Sequence, residues 1–459
     1  MTFCALDSEL TGPLLATSDM QSVFSDRARI AAMLKVEAAL ARAEARLGLV
    51  PNGLAAAIEE IAADRLDLAA LGRETASAGV PAIPFVKAVQ AQLPKNLEHH
   101  FHKSVTSQDI IDTALVLQVA DALDLVQRDL IATIDGLVAL AQRHRTTPCV
   151  GRTYGQHAAP ITFGYKAAVW LAGIVECAAD LPRIRGHLLV ASLGGPVGTL
   201  SGLGKDGVAV LEAFANELGL GVPVITWHTL RARMVEIGSW LAILIGALAK
   251  VATDVAHLAS TEVGEVAEPH APGRGASSAM PHKRNPISAT VILAAHANAK
   301  GLIVTLLDAM AAGHERPAGP WHAEWNVLPQ LFGFASGALR EGRRIAEGLT
   351  VDAARMQANL DVTRGLLFAD VLAARLSSRL GRETAHRLVE EAANETRRSG
   401  RPLSEVMAKT SAVPEDARHE LDGAFDLGPA VAAAAGFVDR ALADARQVRA
   451  QLSDQHRSR

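Results

Sequence analysis

Between Asp109 and His144 the chain runs without a proline, and apolar residues recur at intervals of three and four: Ile110, Ile111, Ala114, Leu115, Leu123, Val126, Leu130, Ile134, Leu137, Val138 and Ala141. That spacing predicts one helix of roughly 35 residues, about 50 Å long. Similar runs cover Pro160 to Val190, with a kink expected at Pro182, then His228 to Val263, Pro286 to Ala312 and His322 to Leu349. Five such helices in succession, apolar around much of their circumference, must pack on one another and on further copies of the chain. The expected fold is all-α, with a central long-helix bundle over 106–349. The first 105 residues carry shorter segments, Asp26 to Leu47 and Leu54 to Ala63, punctuated by Pro51, Gly72, Gly79, Pro81, Pro84 and Pro94, and predict a small helical domain. A third, C-terminal helical domain is expected over 350–459.

Composition narrows the function classes. With 459 residues, 49% of them apolar, the chain can bury a large core. Its net charge is only −4, and neither end carries a block of like charge, so the footprint for nucleic acid or an anionic membrane is missing. A small anionic ligand stays open. Cys4, Cys149 and Cys177 are too few and too scattered for a disulfide framework or a thiolate metal site, which points to a reducing cytoplasm. The opening MTFCALDSEL does not read as a signal peptide, and the apolar stretch IGSWLAILIGALA reads as buried helix, too short for a bilayer span.

Four polar clusters stand at the ends of the expected helices. The most informative is GRGASSAMPHKRNP, Gly273 to Pro286, within a loop from Gly264 to Asn285. Loops of that length inside compact domains are uncommon and usually functional, and a plain connector has no use for Ser277, Ser278, Lys283 and Asn285 together. HHFHKSVTSQD, His99 to Asp109, sets Thr106 and Ser107 where hydroxyls either cap a helix or join its dipole in holding an anion. Its histidines lack a metal-ligand spacing. GRTYGQHAAP offers Arg152, Tyr154, Gln156 and His157, the last open to a structural or a catalytic role. GHERPAGPWHAEW offers Arg316 as an anion anchor, with Trp321 and Trp325 as packing residues. GLGKDG satisfies a dinucleotide-type glycine pattern, yet no acidic residue follows to hold a ribose, and no GxSxG elbow occurs.

ASSAMPHKRNP resembles the signature loop of the fumarase/aspartase superfamily, whose usual form is Gly-Ser-Ser-x-Met-Pro-x-Lys-x-Asn. TSQDIIDT and RTYGQHAAPITFG resemble its two other shared regions, in the same order. FSDRARIAAMLKVEAALARAEARLGLVP, GPWHAEW and NLDVTRGLLFADVLAARL resemble the branch that lactonises 3-carboxy-cis,cis-muconate to 4-carboxymuconolactone in the β-ketoadipate pathway; adenylosuccinate lyase is the alternative. The resemblance implies an all-helical homotetramer with active sites shared between subunits, a small tricarboxylate substrate, and neither metal nor cofactor. It implies Ser278 as the proton-transfer residue and His157 as the alternative acid. Lys283 would stabilise developing charge, and Thr106, Ser107, Arg152, Tyr154, Gln156, Met280, Asn285 and Arg316 would surround the substrate.

Three departures qualify the pattern. Ala276 and Ser104 replace family glycines, at a cost in backbone freedom. More informatively, the lyases place a histidine after the Arg-Thr pair and a supporting glutamate beyond the loop, where this chain has Tyr154 and, around Ala289 and Thr290, no acid. A lyase that protonates a nitrogen leaving group needs that dyad. Lactonisation does not, because the attacking group is the substrate's own carboxylate, ionised at neutral pH with a pKa of about 4.

Overall fold

Ser25 opens the first substantial helix: its Oγ accepts the Ala28 N–H at 3.2 Å, and α1 (Asp26–Arg46) follows, burying Met33, Val36 and Leu40. The computed structural model describes residues 3–457 apart from Ser277, Ser278, Pro281, Asp416, Ala417, His419, Glu420 and Asp422. The long helical periods become α2 (Ser107–Arg143), α3 (Phe163–Leu188), α4 (Ala232–Leu258), α5 (Ile287–Ala309) and α6 (Pro320–Gly348). Pro182 lies inside α3 and Pro329 inside α6. GLGKDG forms a short 3-10 turn leading into the helix Gly207–Leu218. Among the described residues the only sheets are two two-stranded pieces, so the all-α expectation holds.

The segment before α3 departs from expectation. Pro148–Thr153 (β1) and Gln156–Thr162 (β2) pair antiparallel, with Thr153 opposite Gln156, so Tyr154 and Gly155 form a two-residue turn at φ 50° and 75°. Positive φ at both central residues suits the twist of a hairpin. The helix therefore starts at Phe163 and not Pro160, with Thr162 Oγ1 accepting the Tyr165 N–H at 3.1 Å. A second, long-range antiparallel contact pairs β3 (Val266–Ala267) with β4 (Thr350–Val351).

Close helix packing depends on small residues at particular places. A Cβ on Gly238 of α4 would lie 2.4 Å from Leu306 Cδ1 of α5, so a larger residue there would force the leucine side chain to shift. Both α4 and α5 are long and apolar enough to span a membrane by length and composition, contrary to the expectation from the shorter window read in the sequence. In α4, 61% of the apolar window is buried inside the protein, as in a core helix; in α5 the share is 28%.

The chain divides into two compact units, Met1–Leu130 with Cys177–Ala249 and Val291–Glu341, and Ile131–Glu176 with Lys250–Thr290 and Gly342–Arg459. Within the second, Leu372, Leu376, Val389, Leu403 and Met407 form a satellite core, and Arg145 and Arg449 bind Asp439 and Asp135.

Candidate active site

In the first unit the N-terminus of α2 is fixed by a carboxylate. Asp109 Oδ2 accepts the N–H of Thr106 at 3.0 Å and of Gly195 at 2.9 Å, while Oδ1 accepts the N–H of Gly194 at 2.8 Å and lies 2.7 Å from His228 Nε2. The capping contact at Thr106 is thus made from Asp109, in the manner of the third-position residue of a capping box. Ser107 begins the helix, and both hydroxyl residues are half-buried.

One turn further on lies a buried ionic cluster. Arg231 Nη1 donates to Asp112 Oδ2 at 2.8 Å, and its Nε donates to Glu324 Oε1 at 2.9 Å. Trp321 donates its Nε1–H to Asp112 Oδ1 at 2.9 Å, and Arg231 lies 5.1 Å from the centre of the Trp227 ring. Burial works against the Arg231 charge, but Asp112 and Glu324 outweigh it and raise its pKa. Burial likewise raises the Glu324 pKa, with Arg231 opposing and Asp112 reinforcing. Gln108 joins this cluster to Arg316, whose Nε donates to Gln108 Oε1 at 3.0 Å and whose Nη2 donates to the Pro196 carbonyl at 3.2 Å.

The second unit holds the other sequence candidates. Arg152 on β1 forms a two-armed pair with Glu265, which is wholly buried and also accepts from Asn359 Nδ2 at 2.7 Å. The guanidinium therefore ties the hairpin to the start of the loop. His157 stands opposite Arg152 with its Nδ1 buried and without a hydrogen-bond partner among the described residues; burial, then the Arg152 charge, lowers its pKa. Tyr154 is fully exposed at the hairpin tip and Gln156 is exposed beside it.

The base of the loop is clasped by backbone contacts. Asn285 N–H bonds the Gly275 carbonyl at 3.0 Å, and Ala276 bridges Arg284. Gly275 has φ 67°, and a Cβ there would lie 2.6 Å from the Asn285 carbonyl oxygen, so the clasp requires glycine. Met280 and Lys283 are exposed and Asn285 is half-buried; Ser278 lies outside the described residues. Glu268 caps α5, accepting the N–H of Ser288 and of Ala289 at 2.9 Å each.

The residues that sequence reasoning missed are Gln108, Asp109, Asp112, His228, Arg231, Glu265, Glu268 and Glu324. One signal was available: Asp109 and Asp112 fall three apart among the apolar positions of α2, and acids on a buried face need partners.

Comparison with known proteins follows the same outline. Residues 15–301 match the Lyase family, and residues 365–441 match the adenylosuccinate lyase C-terminus. A 3-carboxy-cis,cis-muconate cycloisomerase of Pseudomonas aeruginosa is 43% identical over 442 residues, covering 95% of this chain and 96% of that protein. A nitrosuccinate lyase of Streptomyces davaonensis is 44% identical over 454 residues, covering 95% of each. The crystal structure of the 3-carboxy-cis,cis-muconate lactonizing enzyme from Pseudomonas putida superimposes with a TM-score of 0.90 at 43% identity, over 96% of this chain and 100% of that one.

Proposed function

We infer the reaction from one premise: this chain belongs to the fumarase/aspartase superfamily, in the company of its muconate-lactonising members. It is a cycloisomerase that interconverts 3-carboxy-cis,cis-muconate and 4-carboxymuconolactone, and the likeness along nearly the whole chain carries that conclusion.

In the lactonising direction a substrate carboxylate oxygen attacks the conjugated C=C and forms the C–O bond. The π electrons move onto the conjugated carboxylate, giving an aci-carboxylate, and one proton then reaches carbon. Lys283 and Asn285 stabilise the developing charge as preorganised donors. Arg316 holds another carboxylate, and Thr106 and Ser107 place a third at the positive end of α2. Arg152, engaged by Glu265, orients the hairpin that carries His157. Met280, Gln156 and Tyr154 shape the pocket.

Two residues compete as proton donor. Ser278 has that role by resemblance. His157, with a pKa below the usual 6.5 or so, is mostly neutral at pH 7, a poor state for an acid. A His157 donor would lose activity as pH rises through that lowered value, so full activity from about pH 7 to 8.5 is expected with serine as donor. Ser278→Ala is expected to be severely impaired, His157→Asn much less so, and Tyr154→Phe to keep most activity, because on this reading the tyrosine packs in the pocket and is not the acid. Rates of the four proteins across pH 5.5 to 9 check this. An inactive Tyr154→Phe beside an active Ser278→Ala would make the tyrosine the donor.

The assembly that fits this reading is a homotetramer with shared active sites. Val304 and Leu307 of α5 and Ile243 of α4 are more than half exposed, an apolar surface that further copies of the chain would cover. A second reading rests on the nitrosuccinate lyase relative. Elimination from nitrosuccinate would release nitrite, so parallel assays with the two substrates separate the readings.

A further inference from the structure

We propose that Gln108 is a positioning residue: it aims the Arg316 guanidinium at the substrate by coupling it to the buried Asp112, Arg231 and Glu324 cluster. The proposal rests on the reading that Arg316 binds a substrate carboxylate. Gln108 is 0% exposed in the first turn of α2, where an amide without partners would be costly. Its hydrogen-bonding capacity has a definite direction. Nε2 donates to Asp112 Oδ2 at 3.1 Å and to the His228 carbonyl at 2.9 Å. Both partners are acceptors only, so the amide cannot turn round without setting its oxygen against a carboxylate and a carbonyl. Oε1 is thereby directed to Arg316 Nε at 3.0 Å.

The chain of constraint continues inward. Asp112 is itself held by Arg231 at 2.8 Å and by Trp321 at 2.9 Å, so the amide hangs from a point that does not rotate. A planar guanidinium bonded at Nε to Gln108 and at Nη2 to the Pro196 carbonyl has its plane set, and its fork meets a planar carboxylate in one orientation. A lysine in the same place would bring the charge without the fork.

The test measures kcat and KM for 3-carboxy-cis,cis-muconate with the full-length wild type, Gln108→Met, Arg316→Lys, Arg316→Ala and the Gln108→Met/Arg316→Ala double variant. Gln108→Met should lower kcat/KM by about tenfold to a hundredfold, the range for a lost hydrogen bond to a charged group. Arg316→Lys should fall by a similar factor. In the double variant the glutamine change should add no more than about twofold to the loss already caused by Arg316→Ala, because it acts only through the arginine. A severe Arg316→Ala on which Gln108→Met imposes a further tenfold loss would overturn the positioning role while sparing the role of Arg316. Near-normal rates in Arg316→Ala would overturn both. Should Gln108→Met fail to fold, the half-buried Arg316 still decides the matter: wild-type kcat/KM in Arg316→Lys would show that no aimed fork is needed.

Discussion

Lys283→Ala is expected to lower turnover of 3-carboxy-cis,cis-muconate by about two to three orders of magnitude, the range seen when a donor aimed at developing charge is removed. The substrate is a trianion, and attack of one of its carboxylates moves charge onto another. A cation at the site lowers the barrier only as that charge appears, so the loss should fall mainly on kcat. Lys283 is exposed on the loop, so its removal should leave thermal stability unchanged. Steady-state rates with thermal unfolding as a control check both parts. Near-normal turnover would remove Lys283 from the chemistry.

Arg231→Ala should do the opposite, destabilising the fold first. Asp112 and Glu324 would remain buried as like charges with no cation between them, and breaking a buried ion pair on one side costs about 3–5 kcal/mol. Because this cluster anchors Gln108, activity should fall even in the protein that remains folded. Thermal unfolding beside wild type is the readout, with Glu324→Gln expected to restore part of the loss in the Arg231→Ala background. Unchanged stability in Arg231→Ala would mean that the cluster anchors nothing.

The long helices were legible because their apolar period is local: α2, α4, α5 and α6 follow directly from residue spacing. Their ends were less so. Tyr154 and Gly155 make a hairpin turn inside what the polar cluster suggested was a helix approach, and positive φ at a tyrosine is not written in composition. Candidates for the site could be named from the sequence where polar residues are concentrated in a short stretch, as with Lys283, Asn285 and Arg316. They could not be named where partners are distant in the chain. Asp109 meets His228 across 119 residues and Arg231 meets Glu324 across 93, and only the folded backbone decides which acid finds which base. Gln108 shows the same limit from the other side: an amide beside two hydroxyl residues looks like surface, yet it is buried and fully engaged.

This protein lactonises a conjugated tricarboxylate. Purified protein mixed with 3-carboxy-cis,cis-muconate should abolish the ultraviolet absorbance of the diene, with a lactone of the same mass as the only product. Persistence of that absorbance, alongside release of nitrite from nitrosuccinate by the same preparation, would contradict it.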